Sequence, residues 1–451
     1  MVESPTPTRR PVAIDLFAGA GGLSLGFEMA GFDVLSAVEY DPVHAATHLY
    51  NFPLTDVLCR DVRTVSAAEL IESTRRGWTA HNPNSGEWDG IVDVLIGGPS
   101  CQGFSVMGRQ DIDDDRNQLI GEFVRLVEAI RPRAFCMENV PGFLHTRFDG
   151  LRNEALDRLR AAGYSISGQQ KPLLATDFGV PQKRKRVFIM GALTGEAPTI
   201  PKAKTAPAAT VANAFEGLPD LENYATAGES DVILLTTTDQ ARLESVNDYL
   251  AFAGTAGRGN ERYGHRRNID KSSLSGCKKT SHRPESILRF SETAQGTTEK
   301  ISRAYRLSEN RASNTLRAGT GRERGAFSAS RPLHPTVPRV ITVREAARLH
   351  SFPDWFRFHT TNWHGHRQIG NAVPPLLAVA AAESILSALD LKPQKSENAA
   401  IDFGDESLLS LNPTTAAVIL SAISSQVPRQ RQREVAVLTL PIAIADGEDA
   451  A

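Results

Sequence analysis

The sequence predicts a doubly wound α/β protein with a mostly parallel sheet and a smaller, loop-rich second module. Three observations predict it. Short apolar runs alternate with helix-like stretches over residues 1–195, the pattern of parallel strands covered on both faces. Residues 196–335 are richer in Pro, Ala, Thr, Ser, Gly and Arg and have weak periodicity. Strong patterning then returns over 336–391, as in a segment that completes the first domain, and 392–451 reads as a polar linker and a tail.

The elements follow in order. Residues 1–10 form a loose arm, too short for an upstream regulatory domain, and Val12–Phe17 is strand-like. Gly21–Ala30 places Leu23, Phe27 and Ala30 on one helical face, with Gly31 as the stop. Val34–Glu39 is a second strand, and Asp41-Pro42 is a helix entry, an N-cap followed by proline in the first turn. A third unit, LCRDV, ends near Asp61. Ile91–Ile96, Ala134–Met137 and Val187–Met190 are further short strands. Gln118–Ile130 carries Leu119, Phe123, Leu126, Val127 and Ile130 on one helical stripe. Beyond Thr336 come VITVREAARLHSFP, a support strand and helix, and a helix after Pro375. Within that stretch Arg339, Arg344, Glu345 and Arg348 are read as mainly structural. Residues 392–412 are polar and linker-like, and Thr414–Ser425 forms a short apolar helix.

Bulk composition narrows the class. With 41% hydrophobic and 23% charged residues the chain is ordinary globular material. No run of eighteen apolar residues is present and the N-terminus lacks a secretory core, so no membrane association is expected. Cys59, Cys101, Cys136 and Cys277 are scattered, which suits a reducing cytoplasm, and no ligand cluster suggests a metal. A net charge of −2 is uninformative about nucleic acid; a local basic patch matters more.

Two sets of residues at strand ends of the predicted sheet carry chemistry. Asp15-Leu-Phe17-Ala18-Gly19-Ala-Gly21-Gly22 lies where a strand turns into a helix, and glycines there let backbone N–H groups approach a ligand. Glu39, at the next strand end, has the place of a carboxylate that accepts from ribose hydroxyls. Asp61, at the third, can accept from an adenine amino group. These acids point to a nucleoside without choosing between a dinucleotide and S-adenosylmethionine, although the glycine spacing does not fit GxGxxG. In the second set, Gly97-Gly-Pro99-Ser-Cys101-Gln-Gly-Phe-Ser105 follows the strand VDVLIGG, and a thiol there lies at the ligand-binding edge of such a sheet. Glu138, in Met137-Glu-Asn-Val-Pro141, ends another strand at the same edge. Gln182-Lys-Arg184-Lys-Arg186 opens the strand VFIMG, and alternation sends Arg184 and Arg186 to one face, toward Glu138 or an anionic substrate.

The ordered series DLFAGAGG, VEYDP, GGPSCQGFS, ENV, QKRKRVF and RQIGNAVPP resembles the DNA (cytosine-5) methyltransferase family over roughly residues 12–191 and 336–390. The resemblance implies a sheet of the S-adenosylmethionine-dependent methyltransferase type, with 1–195 as catalytic and cofactor-binding domain and 196–335 as target-recognition domain. It implies S-adenosylmethionine as cofactor, held by Phe17, Ala18, Gly19, Gly21, Glu39, Tyr40, Asp61, Val62, Pro99 and Leu119, with Asn371, Ala372 and Val373 returning to the pocket. Cys101 is then the nucleophile, Glu138 the group at cytosine N3 and the amino group, and Arg186 the group at O2. The expected partner is double-stranded DNA, whose target cytosine must be flipped out. Arg109 and Arg116, in the loop after Cys101, are expected to close over it, with Gln182 and Arg184 nearby. Arg262, Arg266, Arg267, Lys278 and Lys279 belong to a basic stretch, 258–283, that can meet phosphates or guanine edges.

The whole predicts a monomeric, cytoplasmic modification enzyme, such as one paired with a restriction endonuclease. A transfer-RNA cytosine methyltransferase of the same fold is the alternative, and a catalytically inactive DNA-binding homologue is a third reading. The Cys-Phe-Thr tripeptide of the RNA enzymes is absent, and the intact motifs oppose an inactive homologue.

Overall fold

A computed structural model describes residues 9–99, 118–167, 171–203, 209–245, 247–253, 262–319, 331–396 and 399–425. The first half alternates strand and helix: β1 (Val12–Leu16), α1 (Gly22–Ala30), β2 (Asp33–Glu39), α2 (Pro42–Asn51), β3 (Asp56–Cys59), α3 (Ala67–His81), β4 (Val94–Gly97), α4 (Gln118–Ile130), β5 (Ala134–Asn139) and α5 (Asp149–Ala161). Three further strands, β6 (Ser165–Ile166), β7 (Leu173–Leu174) and β8 (Lys185–Ala192), complete the main sheet. Its order is β3-β2-β1-β4-β5-β8-β6, with β7 also paired to β8.

The strands from β3 to β5 run parallel. β8 is antiparallel to β5, so the sheet is mixed at that side. The order reverses between β1 and β4, which makes the crevice beyond their carboxyl ends the expected ligand site of an open α/β sheet. The glycine-rich turn leaves β1 there, and Gly97-Gly-Pro99 leaves β4.

Local chemistry explains the helices that frame this crevice. Asp41 caps α2 by accepting from the Val43 and His44 amides, and Pro42 occupies the first turn. α3, absent from the sequence expectations, starts with a reciprocal capping box between Ser66 and Glu69. α4 buries Ile120, Phe123, Val124, Leu126 and Val127 against the sheet.

The rest of the chain comprises α6 (Val211–Phe215), β9 (Ile233–Leu234), α7 (Thr237–Glu244), α8 (Asp248–Phe252), β10 (Ser273–Leu274) and α9 (Pro284–Glu292). Then come α10 (Val343–Leu349), α11 (Asn362–Asn371), α12 (Pro375–Ala388) and α13 (Pro413–Ser425). The expected boundary at residue 195 is not a break in packing. Val211, Ala214, Tyr249, Leu250 and Leu316 share one hydrophobic cluster with β4, α1 and α12. Two small clusters, around Leu221–Cys277 and around Phe290 with Leu333 and Val340, are the separate packing of the inserted module.

The support strand expected before α10 reduces to an isolated bridge between Leu333 and Val340. Arg339 is paired with Glu345, and Arg344 and Arg348 with Asp354, all in the interior. An 18-residue window within 362–388 is apolar enough to cross a bilayer, yet 83% of that window is buried in the molecule, as expected for core helices. Residues 399–412 depart from the linker expectation. They lie folded over α2, with Leu408 and Leu409 buried and the Gly404 amide donating to the Tyr50 carbonyl.

Candidate active site

The turn after β1 is strained in a way that only a tightly held loop tolerates. Phe17, a bulky residue, sits at φ 61°, a left-handed conformation that costs of order 1–3 kcal/mol and persists where surrounding structure imposes it. Backbone and carboxylate contacts impose it here. The Ala18 amide donates to the Val38 carbonyl at 3.0 Å, and the Gly19 amide to Glu39 Oε2 at 2.7 Å. Asp41 N donates to the other Glu39 oxygen at 2.8 Å. Glu39 is therefore fixed beside the glycine loop, and each of its oxygens retains a further lone pair. Burial raises its carboxyl from the ordinary value.

The neighbouring candidates line the same wall. Tyr40 is 74% exposed, an uncovered aromatic ring beside Glu39. Asp61 follows β3, accepts from the Arg63 amide at 3.0 Å and pairs with the Arg63 guanidinium at 2.6 Å, while Val62 is buried beneath. Leu119 is half-buried on α4. The return segment reaches the loop as expected: a Cβ on Gly22 would lie 2.5 Å from the Val373 carbonyl and 2.9 Å from Ala372. Asn371 ends α11 on the surface beside them.

Asp15 was not among the sequence candidates. It is fully buried, its Oδ2 accepts from Ser24 at 2.5 Å, and Oδ1 has no partner among the described residues. Burial pushes its carboxyl up to about 7. Its place immediately before the glycine loop was the available signal.

At the end of β4 the geometry tightens around Glu138. A Cβ on Gly98 would lie 2.9 Å from Glu138 Oε2, so a side chain there would displace the carboxylate from its present position. Asn139 Nδ2 donates to the Pro99 carbonyl at 3.4 Å. Cys101, Arg109 and Arg116 lie outside the described residues; the chain leads to Cys101 two positions beyond this anchored proline.

Strand pairing then delivers Arg186. Glu138 stands opposite Phe188 in the β5–β8 ladder, and Arg186, two residues before Phe188, projects from the same face as a diagonal neighbour. Arg186 Nε lies 2.6 Å from Glu138 Oε1. Oε1 nevertheless accepts no aligned hydrogen bond among the described residues, so the contact is an ion pair with acceptor capacity to spare. Glu138 is 9% exposed. Burial raises its carboxyl, against the opposing pull of Arg186 and then Arg184.

The structure corrects three of the residues expected to meet DNA. Arg184 is 1% exposed. It precedes β8, turns inward and donates to the carbonyls of Leu316, Gly370 and Ala372. Gln182 is fully buried, donating to the Leu349 carbonyl and to His350 and accepting from the Leu316 amide. Together they tie β8 to the return segment. Arg267 makes a buried bidentate pair with Glu28 at 2.7 and 2.9 Å and lies over Trp355. Its charge is spent on joining the module to α1. Lys279 is held by the Leu221 carbonyl and Glu222, and Arg262 contacts Glu383. Arg266 is exposed and Lys278 half-buried.

Cations that sequence reasoning read only as part of a charge run line an open cleft of about 460 Å³ beside the site. Its walls are Pro141, Leu174, Thr176, Lys183, Lys185, Arg186 and Thr315.

Sequence reasoning also named no metal ligands. The fold brings Asp33, His81 and His265 together, with potential ligand atoms within 4.8 Å of one another. Arg10 Nε already lies 2.7 Å from Asp33 Oδ1, and His265 Nε2 lies 2.9 Å from it. This is an ion-paired knot in which a metal would have to displace a guanidinium.

The family described as C-5 cytosine-specific DNA methylase matches residues 12–387. The chain is 43% identical over 430 residues to the Type II methyltransferase M.XorII of Xanthomonas oryzae pv. oryzae, covering 94% of this chain and 96% of that one. It is 35% identical over 378 residues to the Type II methyltransferase M1.HphI of Haemophilus parahaemolyticus, covering 83% and 86%. A crystal structure described as a prophage-encoded DNA modification methyltransferase (E. coli) superposes with a TM-score of 0.66 at 34% identity, covering 84% of this chain and 99% of that one.

Proposed function

Because the chain belongs to the C-5 cytosine-specific DNA methylase family, and so methylates carbon 5 of cytosine in DNA, we propose that Cys101, Glu138 and Arg186 perform the chemistry on a flipped cytosine. The observation that carries the assignment is the Glu138–Arg186 pair, held against Gly98 and Pro99 where the chain runs toward Cys101. The other thiols are poor nucleophiles. Cys136 and Cys277 are buried and their thiols are pushed up by burial, and Cys59 is raised to about 11. The Type II relatives act in DNA modification, and the RNA alternative finds no support among them.

The family and fold imply S-adenosylmethionine, and the residues fit it. Glu39 offers free lone pairs to a ribose, Phe17 a ring against the adenine with the exposed Tyr40 ring beside it, and Asp61 an acceptor to the adenine amino group. The orphaned Asp15 Oδ1 adds an uncommitted acceptor beside the loop. When bound, the cofactor supplies an electrophilic methyl group on a sulfonium.

The protein's own residues prepare the base. The Cys101 thiolate adds to cytosine C6, forming a C–S bond and converting C5 into an enamine-like nucleophile. Charge would otherwise build on the ring. A protonated Glu138 donates to N3, which its raised carboxyl favours, and the Arg186 guanidinium stabilises O2. After C5 gains the methyl, water takes the C5 proton, the C–H electron pair re-forms the C5–C6 double bond, and the Cys101 thiolate leaves as the C–S bond breaks. None of this is reachable within a stacked duplex, so contacts elsewhere must offset a flipping cost of a few kcal/mol.

The cleft walled by Lys183 and Lys185 supplies such contacts to phosphate. Lys183→Ala and Lys185→Ala should each weaken binding to all DNA sequences alike and flatten the slope of log K against log salt by about 0.9. Filter binding at several salt concentrations reads this; an unchanged slope removes these lysines from the DNA face.

We infer a bacterial cytoplasmic enzyme, acting as a monomer and paired with a restriction endonuclease. Bisulfite sequencing of DNA from expressing cells tests the reading and gives the recognised sequence. DNA without protected cytosines at any recurrent site would overturn it.

A further inference from the structure

The family match ends at residue 387, inside α12, yet residues 399–425 are built into the molecule. We propose that this strap is a positioning element for the nucleoside wall, and that cofactor affinity depends on it. The inference rests on the cofactor reading given above.

The strap touches the wall from behind. Leu408, Leu409 and Leu420 share one hydrophobic cluster with Ala18 of the glycine loop, Ala37 of β2, Ala45, Ala46 and Tyr50 of α2, and Val57 of β3. Ala18 separates Phe17 from Gly19, and α2 begins two residues after Tyr40 and three after Glu39. β3 is the edge strand of the sheet, and α13 packs on it and on α2. The cluster behind the glycine loop, β2, α2 and β3 is thus completed by three leucines from chain outside the family's span.

Polar contacts fix the strap's register. Phe403 stacks on Tyr50 with ring planes 7° apart, and the Gly404 amide donates to the Tyr50 carbonyl at 2.9 Å. Glu406 pairs with Arg357 at 2.5 Å, and the Thr360 amide donates to the Leu409 carbonyl. The far end reaches the inserted module. Ile401 N donates to the Arg266 carbonyl at 2.8 Å, and the Asn268 amide to the Ile401 carbonyl at 3.0 Å. One segment therefore joins the base of the recognition module to the wall of the cofactor pocket. The alignment to M.XorII covers 94% of this chain, a span that cannot omit the strap.

A residue that only stabilises the fold would lower the melting temperature and leave ligand affinities alone. A positioning residue moves one affinity selectively. In full-length Leu420→Ala, held well below its melting temperature, calorimetric titration with S-adenosylhomocysteine should give about tenfold weaker binding (~1.4 kcal/mol). Binding of a DNA duplex without cofactor should stay within about twofold of wild type, and steady-state kinetics should show the loss in KM for the donor with kcat little changed. Leu420→Met should restore affinity because it preserves volume. Should Leu420→Ala not be recovered folded, Leu420→Val reads the same effect at about two- to threefold, the scale of a methylene lost from a core.

Unchanged cofactor affinity in a folded variant, or an equal loss of DNA and cofactor affinity, overturns the strap's role. A wild-type protein that does not take up S-adenosylhomocysteine overturns the cofactor reading itself, so the two failures are distinct.

Discussion

In the Cys101→Ala enzyme, methyl transfer to DNA falls by on the order of 10⁴-fold or more, to background, because the covalent step has no substitute nucleophile. The other three thiols cannot take its place. Cys136 and Cys277 are buried, and all three are held as neutral thiols by desolvation. DNA affinity should survive, since phosphate and groove contacts do not pass through the sulfur. Incubation with tritiated S-adenosylmethionine, followed by counting of the DNA, measures the first quantity, and a gel shift the second. Methylation at the wild-type rate by Cys101→Ala would falsify the nucleophile assignment.

The second large effect is at Glu138. Glu138→Gln should lower the single-turnover methylation rate by about 10²- to 10³-fold, within the range for a lost positioned acid. Cofactor affinity should be nearly unchanged, because Glu138 stands on β5, on the side of the edge proposed to take the base. Its pH profile separates the acid role from simple positioning. A carboxyl raised by burial stays protonated to higher pH than an exposed one. The rate should therefore fall as pH rises through the raised Glu138 value, while the need for Cys101 thiolate makes it rise at the acid side. The glutamine variant loses the alkaline limb that Glu138 controls and keeps the acid one. A glutamine enzyme with the wild-type single-turnover rate and both limbs intact would remove Glu138 from the proton chemistry.

Much of this site was readable from local signals. The strand-to-helix turn at Asp15–Gly22, the capped entry at Asp41-Pro42 and the stripe on α4 are short-range patterns. They need only neighbours within a few residues. The approach of Arg186 to Glu138 was also legible, because side chains alternate along a strand. The same rule misplaced Arg184, which precedes β8 and has no strand alternation to obey. Its inward turn depends on the carbonyls of Leu316, Gly370 and Ala372, more than 130 residues distant. Arg267 was misread for a similar reason: its partner, Glu28, lies 239 residues away on α1. α3 was missed although Ser66 and Glu69 spell its capping box. Of the strap, α13 was legible as the apolar run Thr414–Ser425, but residues 399–412 were missed because a polar stretch with few apolar anchors reads as solvated chain; Leu408 and Leu409 acquire meaning only once α2 is in place.

The antiparallel pairing of β8 with β5 has a consequence for the gene. Together with the β7 pairing of Lys185 and Arg186, it sets the face of every side chain between Lys185 and Ala192 by parity. An in-frame loss or gain of one codon near Lys185 would rotate an ammonium or an isopropyl group into the place of the guanidinium. Loss of two codons would keep parity and cost less. Along this stretch, tolerance to indels should therefore oscillate with even and odd length, and a deep mutational scan would display that alternation directly.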